Sequence, residues 1–119
     1  MLSAPISTTD LILRAKLEQL GLTSIEAQVY LAIRRAGPIS ATAIAREVGS
    51  NRTTIYPVLG SLADKGLIEG WARYRSKFAA ASPQKALGGL IARQKQLVSA
   101  REQIAAELAQ MLTPVAAGS

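Results

Sequence analysis

The sequence predicts a mostly α-helical protein with one small β-hairpin, and three observations carry that prediction. Leucine, isoleucine and valine recur at helical spacing in five separate stretches. Glycines, alone or beside proline, punctuate those stretches. Of the 119 residues 49% are hydrophobic, yet 21 residues are alanine, and one Phe, one Trp and three Tyr leave few large rings with which to fill a sandwich or barrel. A chain of this length makes a single domain with a modest core.

Residues 1–8 read as a loose tail. Asp10 follows two threonines and is placed to cap a first helix, Leu11–Leu20, in which Leu13, Leu17 and Leu20 recur at helical spacing. Gly21 is placed to end that helix in a left-handed conformation. Thr23-Ser24-Ile25-Glu26 then matches a capping box, in which the hydroxyl and the carboxylate satisfy two backbone donors, so Glu26 reads as structural. Ile25, Val29 and Ile33 follow, with Leu31 and Ala32 beside them, until Gly37-Pro38 stops the second helix. Tyr30 falls within the apolar stripe and reads as core.

Ser40 is placed to cap a short third helix, Ala41–Val48, with Ile44, Ala45 and Val48 inward and Gly49 at its end. After the turn Gly49-Ser50-Asn51, a fourth helix runs from Arg52 to Lys65 on a stripe of Ile55, Val58, Leu59 and Leu62. Two short helices joined by a three-residue turn containing glycine form a helix-turn-helix. Leu67-Ile68-Glu69 reads as a strand, Gly70–Arg75 as a turn rich in basic and aromatic groups, and Ser76–Ala80 as the antiparallel return. Helix, turn, helix and hairpin in this order make a winged helix-turn-helix, here over residues 9–82.

From residue 83 to 113 the pattern changes. Leu87, Leu90, Gln94, Leu97, Arg101, Ile104, Leu108 and Met111 alternate spacings of 3 and 4, the seam of a coiled coil, and Ile91, Val98, Ala105 and Leu112 widen the stripe. Thirty helical residues would extend about 45 Å, too far for one small domain to cover, so the expected cover is a second copy in a homodimer. Gln94 and Arg101 would weaken the seam while fixing its register. The alternative is a helix folded back onto its own domain. Residues 113–119 read as frayed.

Composition narrows the function. The chain has no Cys and no His, so it lacks a disulfide framework, thiolate metal sites and the commonest acid–base group. No cofactor is expected. Its eight carboxylates are scattered on caps and helix surfaces with no evident catalytic pair, which argues against an enzyme. No apolar run reaches the length of a membrane span, and no basic secretion signal opens the chain, so a cytoplasmic protein with no membrane partner is expected.

Charge supplies the positive clue. Fourteen Lys and Arg against eight Asp and Glu give a net +6, which suits a polyanionic partner. Residues 1–39 carry +1, 40–82 carry +3 and 83–119 carry +2, so the excess peaks in the winged-helix segment. The expected partner is double-stranded DNA. In a helix-turn-helix the second helix enters the major groove and its N-terminal residues meet base edges, which nominates Asn51, Arg52, Thr53, Tyr56 and Pro57 as readers, with Gly60 and Ser61 further along that face. Arg52 suits guanine O6 and N7, and Thr53 or Pro57 suits a thymine methyl. Ser40, Thr42, Ser50 and Thr54 place hydroxyls near helix N-termini, where phosphate is favoured, though each also suits an ordinary cap or surface position.

Arg73, Arg75 and Lys77 alternate along the hairpin, so period-two geometry puts all three on one face, for the backbone or the minor groove. A charged edge that merely blocks aggregation is the alternative. Trp71 and Tyr74 suit either packing onto the adjacent helix, the commoner arrangement, or stacking on bases. A second class of function, a winged helix used as a protein-interaction module of a transcription-associated or architectural complex, needs no basic recognition face. Arg52, Thr53 and the hairpin cations favour DNA.

The stretch Leu20–Ile33, with Glu26, Ala27, Val29, Tyr30 and Leu31, resembles the opening of the TrmB family of winged-helix transcriptional regulators. The resemblance continues through Gly37-Pro38, Ala43-Ile44-Ala45-Arg46, Arg52-Thr53-Thr54-Ile55-Tyr56, Val58-Leu59, Leu62 and Lys65-Gly66-Leu67-Ile68, and covers about residues 17–80. Pro57 departs from it. The family usually has an acidic or polar residue there, and Tyr56-Pro57-Val58-Leu59 is instead similar to the PadR family, so a first turn that starts late or bends is expected. The resemblance also implies, for larger members, a C-terminal sugar-binding domain. Nothing after the seam helix could enclose a sugar, which makes this either a short stand-alone member or a fragment. The similar MarR-type regulators hold small effectors between dimer helices and winged domains, but no polar cluster here singles out an effector class.

Overall fold

The computed structural model describes residues 7–69 and 77–114. Helix α1 spans Thr8–Gln19 and starts earlier than the sequence suggests, because the Ser7 hydroxyl, and not Asp10, caps it by accepting the Asp10 N–H at 3.0 Å. The Asp10 carboxylate is thereby freed to pair with Arg35 at 2.9 Å. Of the expected stripe only Leu17 is buried and Leu20 half-buried; Leu13 is exposed. Helix α2, Ser24–Ala36, opens on the capping box as expected, and Gly37 at φ +76° closes it.

Strand β1, Ile39–Ser40, was not legible in the sequence, since two residues carry no periodicity. It forms only because its backbone meets a distant strand. Helix α3 is Ala41–Val48 and helix α4 is Arg52–Asp64, capped by Ser40 and Asn51 respectively. Pro57 lies inside α4 without delaying its start. The ring withholds the donor that the Thr53 carbonyl would use, and both residues are exposed, so that carbonyl is not sealed in the core. The described parts of the hairpin strands are β2, Ile68–Glu69, which starts one residue later than expected, and β3, Lys77–Ala80; Ser76 lies outside the described residues. β3 is central in an antiparallel sheet of order β1-β3-β2, with Ile39 opposite Phe78, Ser40 opposite Lys77 and Ile68 opposite Ala80.

Ile33, Ile44, Ile55, Leu62, Leu67, Leu90 and Val29 are the largest fully buried side chains, and with Ile39, Ile68 and Phe78 of the sheet they join α2, α3 and α4 to the first part of α5, Pro83–Leu112. Tyr30 is core, as expected. The rest of α5 projects. The molecule measures 77 × 33 × 29 Å with a radius of gyration of 19.6 Å, against about 13.5 Å for a compact domain of this length. Among the described residues no helix is long and apolar enough to cross a membrane, and no cluster of acidic residues could hold a metal ion.

Candidate nucleic-acid interface

Burial of Ile55, Leu59 and Leu62 fixes the rotation of α4, and the opposite face is thereby turned to solvent. Asn51, Arg52, Thr53, Tyr56 and Pro57 are all exposed there. They are not equally free. Asn51 Oδ1 accepts the Thr54 N–H at 2.9 Å, so this side chain is the N-cap and only its amide NH2 is left to meet a ligand. Arg52 Nη2 donates to the Tyr56 hydroxyl at 2.9 Å, with its guanidinium carbon 5.6 Å from the ring centroid. One turn of helix brings these two into reach, and the contact holds the guanidinium against the helix.

Ser61 is corrected by the structure. It is half-buried and turned toward α2, where its hydroxyl donates to Glu26 Oε2. Lys65 Nζ approaches the two oxygens of the same carboxylate at 2.8 and 3.0 Å, and the Thr23 N–H donates to Oε1 at 2.8 Å. Burial alone would push the Glu26 carboxyl up; the bonds from Lys65, Ser61 and Thr23, with the Lys65 charge, outweigh it and hold the group below its ordinary value. This cluster anchors the C-terminal half of α4 to α2 and so positions the exposed face of α4. The capping box is local and legible in the sequence, whereas its tertiary partners Ser61, on α4, and Lys65, the α4 C-cap, carry no signal there beyond a spacing of four.

The phosphate candidates fall in two places. Ser40 caps α3 by accepting the Ala43 N–H at 3.2 Å, Thr42 is exposed in the first turn, and the exposed Lys77 stands opposite Ser40 in the β1–β3 pairing. Strand pairing therefore brings a cation beside the N-terminus of α3. Ser50 and Thr54 flank the cap of α4. Arg73 and Arg75, with Trp71 and Tyr74, lie outside the described residues. A cavity of about 200 Å³, lined among the described residues by Tyr56, Leu59, Gly60, Ala63 and Phe78, separates α4 from β3.

The seam residues of α5 divide. Leu90 is 2% exposed, a core residue of its own domain, and Leu87 is half-buried against that core. Gln94, half-buried, donates to the Leu20 carbonyl. Leu90 is thereby corrected from the expected dimer seam, because the root of α5 closes its own domain's core; Leu87 and Gln94 keep part of their surface open. Ile91, Leu97, Val98, Arg101, Ile104, Leu108 and Met111 are exposed.

The helix-turn-helix and the three-stranded sheet behind it define a winged helix-turn-helix fold. The chain belongs to the TrmB family, described as sugar-specific transcriptional regulators, whose model matches residues 17–84. It is 44% identical over 54 residues to the HTH-type sugar sensing transcriptional regulator TrmBL1 of Pyrococcus furiosus, a match covering 45% of this chain and 16% of that protein. Two solved structures share the fold. TrmBL2, an archaeal chromatin protein with a novel mode of DNA binding, superposes with a TM-score of 0.67 at 22% identity, over 88% of this chain and 42% of that one. A Mycobacterium tuberculosis MarR family protein in complex with DNA gives 0.52 at 18% identity, over 93% and 100%. The matches thus span 16% of TrmBL1 and 42% of TrmBL2.

Proposed function

We propose that this chain binds double-stranded DNA sequence-specifically as a homodimer, with α4 in the major groove and the basic hairpin on the backbone or in the minor groove. One observation carries this reading: the buried stripe of α4 leaves Arg52, Thr53, Tyr56 and Pro57 together on its exposed side, at the end of the helix that meets base edges in this motif. Both solved neighbours are described as binding DNA, which supports it. Lys77 beside the α3 N-terminus adds a phosphate contact that fixes register without reading sequence.

The dimer is supported by the projecting part of α5. Leu97, Val98, Ile104 and Leu108 are each about half exposed, and Met111 is 79% exposed, along a helix that the described residues of its own domain do not cover. A second copy covers such a stripe most simply, as a coiled coil. The surface offered to DNA is tested by titrating an isotope-labelled chain with a duplex it binds. Amide shifts concentrated at residues 40–42, 50–56 and 77 are expected, and shifts confined to the distal part of α5 contradict the placement.

A further inference from the structure

Two neighbouring side chains of α5 reach back to the ends of two different helices. Arg93 Nη1 donates to the backbone carbonyl of Asp64, the last residue of α4, at 3.1 Å. Gln94 Nε2 donates to the carbonyl of Leu20, the C-cap of α1. Carbonyls at a helix C-terminus lack intrahelical donors and carry the negative end of the dipole, so a guanidinium is well matched to them. α4 has no basic residue in its last turn, and Lys65 at its C-cap is committed to Glu26. The charged donor at this end of α4 is therefore supplied by α5. The Gln94 contact depends in turn on Gly21, which sits at φ +109° and where an added Cβ would lie 2.6 Å from Nε2.

These two residues occupy the point at which α5 leaves the domain. Leu90, three residues before Arg93 and four before Gln94, is buried, whereas every residue from 95 to 114 is exposed. Both side chains thus flank the buried leucine on one side of the helix. From Gln94 to Leu112 the helix runs about 27 Å. A lever of that length converts a tilt of about 7° at its base into a displacement of about 3.4 Å, one base-pair step. The direction in which α5 leaves the domain thus decides how far apart two joined domains hold their reading faces.

We infer that Arg93 and Gln94 are positioning residues that set the separation of the two recognition helices, and with it the half-site spacing that the protein accepts. The inference rests on the dimeric DNA-binding function proposed above. Arg93 is the stronger determinant, since it ties the dimer helix to α4 itself; Gln94 fixes α5 against α1. Neither side chain touches DNA in this arrangement. Both act through the placement of α4.

The test is binding of the full chain to duplexes carrying its selected inverted repeat, with the distance between half-site centres changed one base pair at a time. Wild type is expected to lose about tenfold or more in affinity one step from its optimum, and Arg93→Ala to vary less than about threefold over the same steps. Arg93 is exposed, so its truncation leaves the core intact, and an unchanged dimer mass and half-site preference separate altered spacing from misfolding. Arg93→Lys keeps a charged donor and is expected to keep the wild-type curve. An Arg93→Ala curve that matches wild type overturns the inference and leaves the proposed function standing. A wild-type chain that accepts every spacing equally likewise overturns the inference alone, whereas a monomeric wild-type chain overturns the proposed dimer as well.

Discussion

Glu26 and Lys65 are joined across the domain, with Nζ 2.8 Å from one carboxylate oxygen and 3.0 Å from the other. The carboxylate that closes the capping box of α2 is thus also the anchor of α4. With side-chain exposures of 6% for Glu26 and 21% for Lys65, this pair is far better shielded than a surface ion pair. It ties the C-terminal end of α4 to the start of α2.

Replacing Glu26 with Gln is expected to lower stability by about 1–3 kcal/mol, because the capping role survives while the charged bonds to Lys65 are lost. Urea unfolding measures this. A change below about 0.5 kcal/mol, typical of ordinary surface substitutions, contradicts the anchoring role.

The same pair predicts a pH dependence. The Glu26 carboxyl titrates below its ordinary value of 4.5 in the folded chain, so in that window the unfolded chain binds more protons and stability rises with pH. The contribution is fully present above about pH 4.5 and is lost as pH falls through the folded value. Wild type is expected to lose stability more steeply in acid than Glu26→Gln. Parallel slopes for the two proteins contradict the sign.

Arg52→Ala is expected to relax base preference at one position of each half-site by about 1–3 kcal/mol, the worth of a bidentate contact to guanine. Tyr56→Phe, which removes only the hydroxyl that holds Arg52, is expected to relax the same position by less. Competition binding with single base-pair variants measures both, and an unchanged preference in Arg52→Ala removes it from the readers.

Lys77→Ala is expected to weaken binding to all sequences alike and to reduce the slope of log affinity against log salt by about 0.9, the yield of one phosphate contact. The slope measured over a range of salt decides it. A loss confined to one sequence would mean that Lys77 reads a base.

A chain ending at Gln96 is expected to fold and to be monomeric, since it keeps Ala86, Leu90, Arg93 and Gln94 and lacks the exposed stripe from Leu97 onward. Mass in solution tests this. A truncated chain that still dimerises locates the interface elsewhere.

The helices were legible because caps and stripes are local: Thr23 with Glu26, Ser40, Asn51 and the alternation of Ile55, Leu59 and Leu62 act within one or two turns. What escaped is what long-range contact decides. Strand β1 exists through pairing with β3, and Ser61 faces Glu26 from 35 residues away in sequence. Leu90 and Leu97 occupy equivalent positions in the heptad pattern, yet one is core and the other bare, because the winged domain covers only the root of α5. Asp10 illustrates the reverse, a plausible cap displaced by an earlier hydroxyl at Ser7.

The most direct measurement is selection of bound sequences from a random duplex pool at about 150 mM salt, where non-specific binding is suppressed, with the mass of the protein recorded alongside. A dimer that enriches an inverted repeat is the predicted result. A dimer that enriches no motif contradicts sequence-specific reading by α4 and points to a protein-binding winged helix; a monomer contradicts the role of α5.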